Sequence, residues 1–272
     1  MAEVKPPIKL PSTRERILTI GLTGAGKSYQ WLSMAKELLP AGVKFTVIDT
    51  DAAINYMLDT QFPELKPEFG GNVTVRQVYT WDQYMQVIKD LQSKPLRPTD
   101  WLVIDMADNA WSAVQRYFVS QIFDQSMGDY FLEARKKVAA GKEDVKKKGI
   151  TAESLDGWMD WPVINRMYDD FILPIIYGMT CNVYSTTKVQ ELGRQEKDAE
   201  ILSLYGAMKV KPSGQKNLGH QHNTILLLKP GTDKWYVSTI KDRAGRPYMK
   251  DQFMKSLYTQ YLVGAAGWPV IE

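Results

Sequence analysis

The stretch Gly21–Ser28, GLTGAGKS, decides how the rest of this sequence is read. It fits G-x-x-x-x-G-K-[S/T] at every fixed position and lies between an apolar run, Arg16–Gly21 (RILTIG), and a segment with helical pattern. Glycines at such a junction let the backbone turn several N–H groups inward onto phosphate oxygens. A helix opening at Lys27 adds the positive end of its dipole. Gly21, Leu22, Thr23, Gly24, Ala25, Gly26, Lys27, Ser28 and Tyr29 are therefore the candidate nucleotide contacts. Lys27 is placed to give a point charge to the β- and γ-phosphates, and Ser28 a hydroxyl to Mg²⁺. The expected ligands are ATP and Mg²⁺, with the choice of base left open.

Working outward, the motif sits in an alternation of strands and helices. Apolar runs predict strands at Arg16–Gly21, Val43–Asp49, Val73–Tyr79, Trp101–Asp105 (WLVID) and Asn182–Thr187. Helical periodicity covers Lys27 to about Leu39, Trp81 to about Leu91, and Val163–Gly178, with Pro40 and Gly42 stopping the first. Thr224–Lys229 and Trp235–Ile240 read as a hairpin across PGTDK, and Lys250–Leu262 as a last helix. The fold class is α/β: a largely parallel central sheet, helices on both faces and a C-terminal antiparallel hairpin. Residues 1–14 read as an extended arm. Residues 15–272 form one domain, with a polar insertion at about 121–160 and a polar loop at about 190–222.

Composition narrows the class. With 44% hydrophobic residues the chain can bury a large core without disulfides or structural metal. No apolar run approaches the ~20 residues that span a bilayer, and MAEVKPPIKLPSTRER has no apolar signal-peptide core. The one cysteine, Cys181, fits a reducing cytoplasm. A net charge of +3 permits nucleic-acid binding without arguing for it.

Two carboxylates complete the expected site. Asp105 ends an apolar strand, where it can hold Mg²⁺ through water or simply cap the next helix. Met106 follows it, so no second acid stands beside Asp105 and a catalytic base must come from elsewhere. The end of the second strand, VIDTDAA (Val47–Ala53), offers Asp51, with Asp49 as the alternative and a turn-forming role open to both.

VIDTDAA resembles the strand of RecA- and RadA-type recombinases that ends Ile/Phe-Asp-x-Glu, with the Glu as base. Asp51 stands in that place but is one methylene shorter, so the water it would activate must come closer. NVYSTTKV resembles the family's sensor strand, which gives the γ-phosphate-facing role to Thr186 or Thr187. STIKDRAG (Ser238–Gly245) resembles the Lys-x-Arg segment that these proteins set against a neighbour's ATP. By that resemblance Lys241 and Arg243 are trans-acting fingers, able to neutralise charge on the γ-phosphoryl group. The Lys-rich segment after Asp105 and Gly206–His222, with Lys209, Lys211 and Lys216, fall where the family lines its DNA path.

From about Glu15 to Tyr261 the chain resembles small phage-encoded RecA/RadA-like ATPases of recombination or single-strand annealing. The resemblance implies an Mg-dependent ATPase, a homo-oligomeric ring or filament, single-stranded DNA as partner, and residence in the host cytoplasm. A replication or recombination partner protein is a further implication, and no membrane is involved. A DNA-packaging motor or helicase loader, and a nucleotide-switched binding module with little hydrolysis, stay open. A small-molecule kinase is disfavoured by the lack of an Arg-rich lid, and a GTPase by the lack of Asn-Lys-x-Asp. His220 and His222 form an H-x-H pair without an evident third metal ligand.

Overall fold

β1, Arg16–Gly21, is buried at every residue after Arg16 and holds the centre of an eight-stranded sheet. In this computed structural model the described residues are 11, 13–139, 160–193, 195–232 and 234–271. The arm at residues 1–14 and the Lys-rich part of the insertion fall largely outside them. β2 is Phe45–Asp49, β3 Val73–Gln77, β4 Trp101–Asp105, β5 Asn182–Thr187, β6 Val189–Glu191, β7 Val210–Pro212, β8 Thr224–Pro230, β9 Trp235–Asp242 and β10 Gln252–Phe253. The order across the sheet is β10-β9-β8-β1-β5-β4-β2-β3, with β6 and β7 paired apart as a small ribbon.

Every neighbour from β8 to β3 is parallel, while β9 and β10 add antiparallel edges. Parallel strands need both faces covered, so their sequences are near-continuous apolar runs. Alternate side chains of β1 accordingly enter opposite layers. Leu18 and Ile20 pack into one, Ile17 into the other. The first layer is formed by α3 (Trp81–Ser93), α4 (Ala107–Phe123) and α6 (Asp160–Leu173), with α5 (Met127–Ala139) against α4. The second is formed by α1 (Lys27–Leu38) and a π-helical turn at Tyr258–Val263.

α3 starts at Thr80, whose hydroxyl accepts the Gln83 N–H while the Gln83 side chain accepts the Thr80 N–H. This reciprocal cap satisfies two otherwise unpaired donors. The insertion is helical as far as it is described, through α5. The loop at 190–222 carries β6, β7, α7 (Ala199–Tyr205) and α8 (Leu218–Gln221).

The expected helix at Lys250–Leu262 does not form. The open edge of β9 offers unpaired backbone, and Gln252 and Phe253 take it as β10, opposite Val237 and Tyr236. Asp251 at φ 46° makes the turn into it and accepts hydrogen bonds from Ser238 and Lys229. Met254, Leu257, Tyr258, Tyr261 and Leu262 are buried as the helical pattern suggests, but only the last turn is helical.

Candidate nucleotide site

Gly21–Ser28 spans the C-terminal end of β1 and the start of α1. Gly24 and Gly26 have φ of 78° and 81°, left-handed values that a side chain resists. Gly26 has a second constraint, because a Cβ there would lie 2.8 Å from the Trp235 ring. Trp235 opens β9, donates its indole N–H to the Gly24 carbonyl at 3.1 Å, and packs 4.6 Å from the Tyr29 ring. The C-terminal hairpin thus braces the loop from outside.

Lys27 is buried and folds back on the loop, donating to the carbonyls of Gly21 and Leu22, both at 2.9 Å. Burial holds its pKa below the usual lysine value, opposed by the nearby charges of Asp105, Asp108 and Asp51. A bound phosphate would replace those two carbonyls with a full negative charge, a stronger acceptor.

Asp105 is 1% exposed at the tip of β4, two strands from β1 with β5 between them. Its Oδ1 accepts Thr186 Oγ1 at 2.5 Å and its Oδ2 accepts Trp31 Nε1 at 2.9 Å, with the Ser28 hydroxyl also donating to the carboxylate. Burial pushes its pKa up, against these three hydrogen bonds. A serine hydroxyl beside a buried aspartate at the mouth of a phosphate loop fits Mg²⁺, a hard cation that prefers oxygen ligands. Ser28 and Asp105 are the residues that would hold it. Among the described residues no cluster of three or more His, Cys, Asp or Glu could hold a metal ion alone.

The two base candidates separate sharply. Asp49 is fully buried, accepts the N–H groups of Asp51 and Ile54, and has its pKa raised to about 6 by burial. Asp51 is exposed on the wall of the cavity beside the loop. That cavity, of about 420 Å³, is lined by Thr23, Gly24, Gly26–Tyr29, Asp51, Met106, Lys188 and Trp235, among others. The turn that turns Asp51 outward passes through Ala52 at φ 60°.

Thr186 and Thr187 also divide. Thr186 bonds Asp105, whereas Thr187 donates to the Ser213 carbonyl at 3.0 Å. Lys241 and Arg243 lie at the far end of the sheet, where Asp242 pairs with Thr224 at the start of β8. They are a strand's length from their own phosphate loop, since Thr224 registers with Ile17 and Leu228 with Gly21. Lys241 donates to the carbonyls of Gly219, His220 and His222, and burial lowers its pKa to about 8. Arg243 is exposed; its guanidinium donates to the His220 carbonyl and its backbone N–H to the Asn223 carbonyl, both at 3.0 Å. His222 is buried between Leu218 O and Ser185 Oγ, and burial lowers its pKa to about 4.

In the loop, Lys211 pairs with Glu196 at 3.0 Å and Lys216 with Asp198 at 2.6 Å. Sequence reasoning passed over Trp31, Asp108, Lys188 and Trp235. Of these only Asp108 left a trace, an acid in the first turn of α4 three residues after Asp105.

The AAA domain family matches this chain over residues 13–134, from before β1 into α5. No curated protein matches it. Among solved structures, the RadB recombinase aligns with TM-score 0.49 and 16% identity over 90% of this chain and 87% of that one. A KaiC-like protein from the hyperthermophilic archaeon Pyrococcus horikoshii OT3 aligns with TM-score 0.46 and 13% identity, over 86% and 82%. The class rests on the chain's own geometry: glycine loop between β1 and α1, Asp105 two strands away, and antiparallel strands added beyond β8. This is the P-loop NTPase fold of RecA-like type.

Proposed function

We propose that this protein is a magnesium-dependent ATPase that works as a ring or filament on single-stranded DNA, in recombination or replication of phage type. The observation that carries the reading is Lys27 and Ser28 on the wall of one cavity at the end of β1, with the buried Asp105 carboxylate close behind them. In this reading the loop amides and Lys27 hold the phosphates, and Ser28 with Asp105 holds Mg²⁺. Asp51 orients the attacking water, Thr186 fixes the Asp105 carboxylate, and Thr187 anchors the loop beyond the sensor strand.

Arg243 is the better trans finger. It is exposed, and it lies a strand's length from its own loop, so a nucleotide phosphate it met would be a neighbour's. Lys241 holds the end of α8 together instead. DNA would lie along the 190–222 loop and the Lys-rich insertion. ATP hydrolysis measured with and without single-stranded DNA tests the reading. A rise that fades steeply with salt is expected, and a rate indifferent to DNA counts against it.

One observation favours a second reading, a loader or motor ATPase driven by a partner protein. Lys211 and Lys216 are already paired with acids of the same loop, which lowers the loop's attraction for a phosphate backbone. Stimulation by a replication protein in the absence of DNA would select that alternative.

A further inference from the structure

β2 and β4 run in register as far as Asp49 and Asp105, and the Thr50 N–H then donates to the Asp105 carbonyl at 2.7 Å. Beyond that bond the two segments part. β4 turns into α4 at Met106, while β2 swings outward through Asp51 and Ala52. Met106 opens α4 with no side-chain cap of its own, so the helix start leaves backbone groups in need of partners.

Thr50 supplies them. Its buried hydroxyl accepts the Met106 N–H at 2.7 Å and donates to the Met106 carbonyl at 3.1 Å. Asn109, in the first turn of α4, donates its side-chain amide to the same hydroxyl at 2.9 Å and to the Thr50 carbonyl at 3.4 Å. One threonine thus ties the end of β2 to the end of β4 through its N–H, its hydroxyl and its carbonyl.

The hydrogen bonds of Asp51, the next residue, stay inside the turn. Its carboxylate accepts the Ala53 N–H and its own N–H goes to Asp49 Oδ1, both at 3.3 Å. The placement of that exposed carboxylate relative to β4 therefore rests on Thr50. Asp105 differs, because Trp31 and Thr186 hold its two oxygens without help from Thr50. Loosening the clamp would move Asp51 and leave the Asp105 carboxylate in place.

We propose that Thr50, completed by Asn109, is a positioning residue for hydrolysis: its clamp across the ends of β2 and β4 fixes Asp51 relative to Ser28 and Asp105, and with it the attacking water. The inference rests on the nucleotide reading above, with Asp51 orienting the water, and adds the residue that aims its carboxylate. Misplacing a group by 1 Å can cost on the order of 100-fold in rate. The clamp acts on the chemical step and not on binding.

The test uses the full chain with Thr50→Val, which keeps the shape but removes the hydroxyl, and Thr50→Ser, which keeps the hydroxyl. Calorimetry with Mg²⁺ and the non-hydrolysable analogue AMPPNP gives affinity, and single-turnover ATP hydrolysis gives the rate. Thr50→Val should lose about tenfold or more in rate while its AMPPNP affinity stays within about twofold of wild type. Thr50→Ser should recover most of the rate. In an Asp51→Ala background Thr50→Val should cost nothing further, because its route to the reaction is already gone. If Thr50→Val does not fold, Asn109→Ala, which leaves the hydroxyl bonded to Met106, carries the same expectations at a severalfold loss. A wild-type rate in the folded variant, an affinity loss as large as the rate loss, or an undiminished loss in the Asp51→Ala background overturns the proposal and leaves the nucleotide site standing. An Asp51→Ala as fast as wild type overturns the proposal together with the Asp51 role, and a wild type that binds no AMPPNP overturns the nucleotide reading itself.

Discussion

Trp31 donates its indole N–H to Oδ2 of Asp105 at 2.9 Å, joining the helix that follows the phosphate loop to a strand end 74 residues away. With Thr186 on the other oxygen, both lone-pair faces of a buried carboxylate are fixed. A metal-holding group placed this way loses little entropy when the ion arrives.

Trp31→Phe keeps an aromatic ring in the core but removes the donor. Denaturant unfolding should show a loss of about 2 kcal/mol, from the unmet carboxylate oxygen and the smaller ring. Mg²⁺ titration of ATP binding should shift to severalfold higher concentration. Unaltered Mg²⁺ dependence would mean that Asp105 orientation does not matter to the site.

The Asp51 side chain is exposed and accepts a local bond from the Ala53 N–H. Asp51→Ala should therefore leave stability within about 0.5 kcal/mol. Single-turnover hydrolysis should fall by roughly 100-fold, the usual worth of a positioned general base. A variant as fast as wild type would remove Asp51 from that role.

Asp49 makes a pH prediction. Its folded pKa of about 6 exceeds the ordinary aspartate value of 3.8, so the folded state holds this proton more tightly than the unfolded state. Ionising it costs stability progressively as pH rises from about 4 to about 6, and below that window the cost is absent. Asn has no proton to lose and keeps one acceptor oxygen, so it retains one of the two bonds from the Asp51 and Ile54 N–H groups at every pH. The stability of Asp49→Asn minus that of wild type should rise across the window by about 3 kcal/mol. A difference that is flat with pH contradicts the burial argument.

Arg243→Ala and Lys27→Ala should each be inactive in hydrolysis. Mixed, they should regain activity at interfaces that pair an intact loop with an intact Arg243. A fully active Arg243→Ala, with no rescue in the mixture, would dismiss the trans finger.

The sheet was readable because its strands are buried on both faces. RILTIG and WLVID are largely apolar, NVYSTT is rich in β-branched and aromatic residues, and β1, β4 and β5 occupy those residues. The phosphate loop was readable because its chemistry is local, carried by eight consecutive residues. What escaped is tertiary. Trp235 reaches Gly24 across 211 residues, and Lys188 meets Asp108 only because β5 lies beside β4. Lys250–Leu262 misled because its apolar spacing suits a helix, while the decisive partner, the bare edge of β9, is invisible to periodicity.

The central claim is that Gly21–Ser28 binds a nucleoside triphosphate with Mg²⁺, and calorimetric titration of wild type and Lys27→Ala with ATP tests it most directly. Wild type should bind ATP more tightly with Mg²⁺ than with EDTA, and Lys27→Ala should lose at least about tenfold in affinity while staying folded. Equal binding by the two proteins, or no binding by wild type, would contradict it.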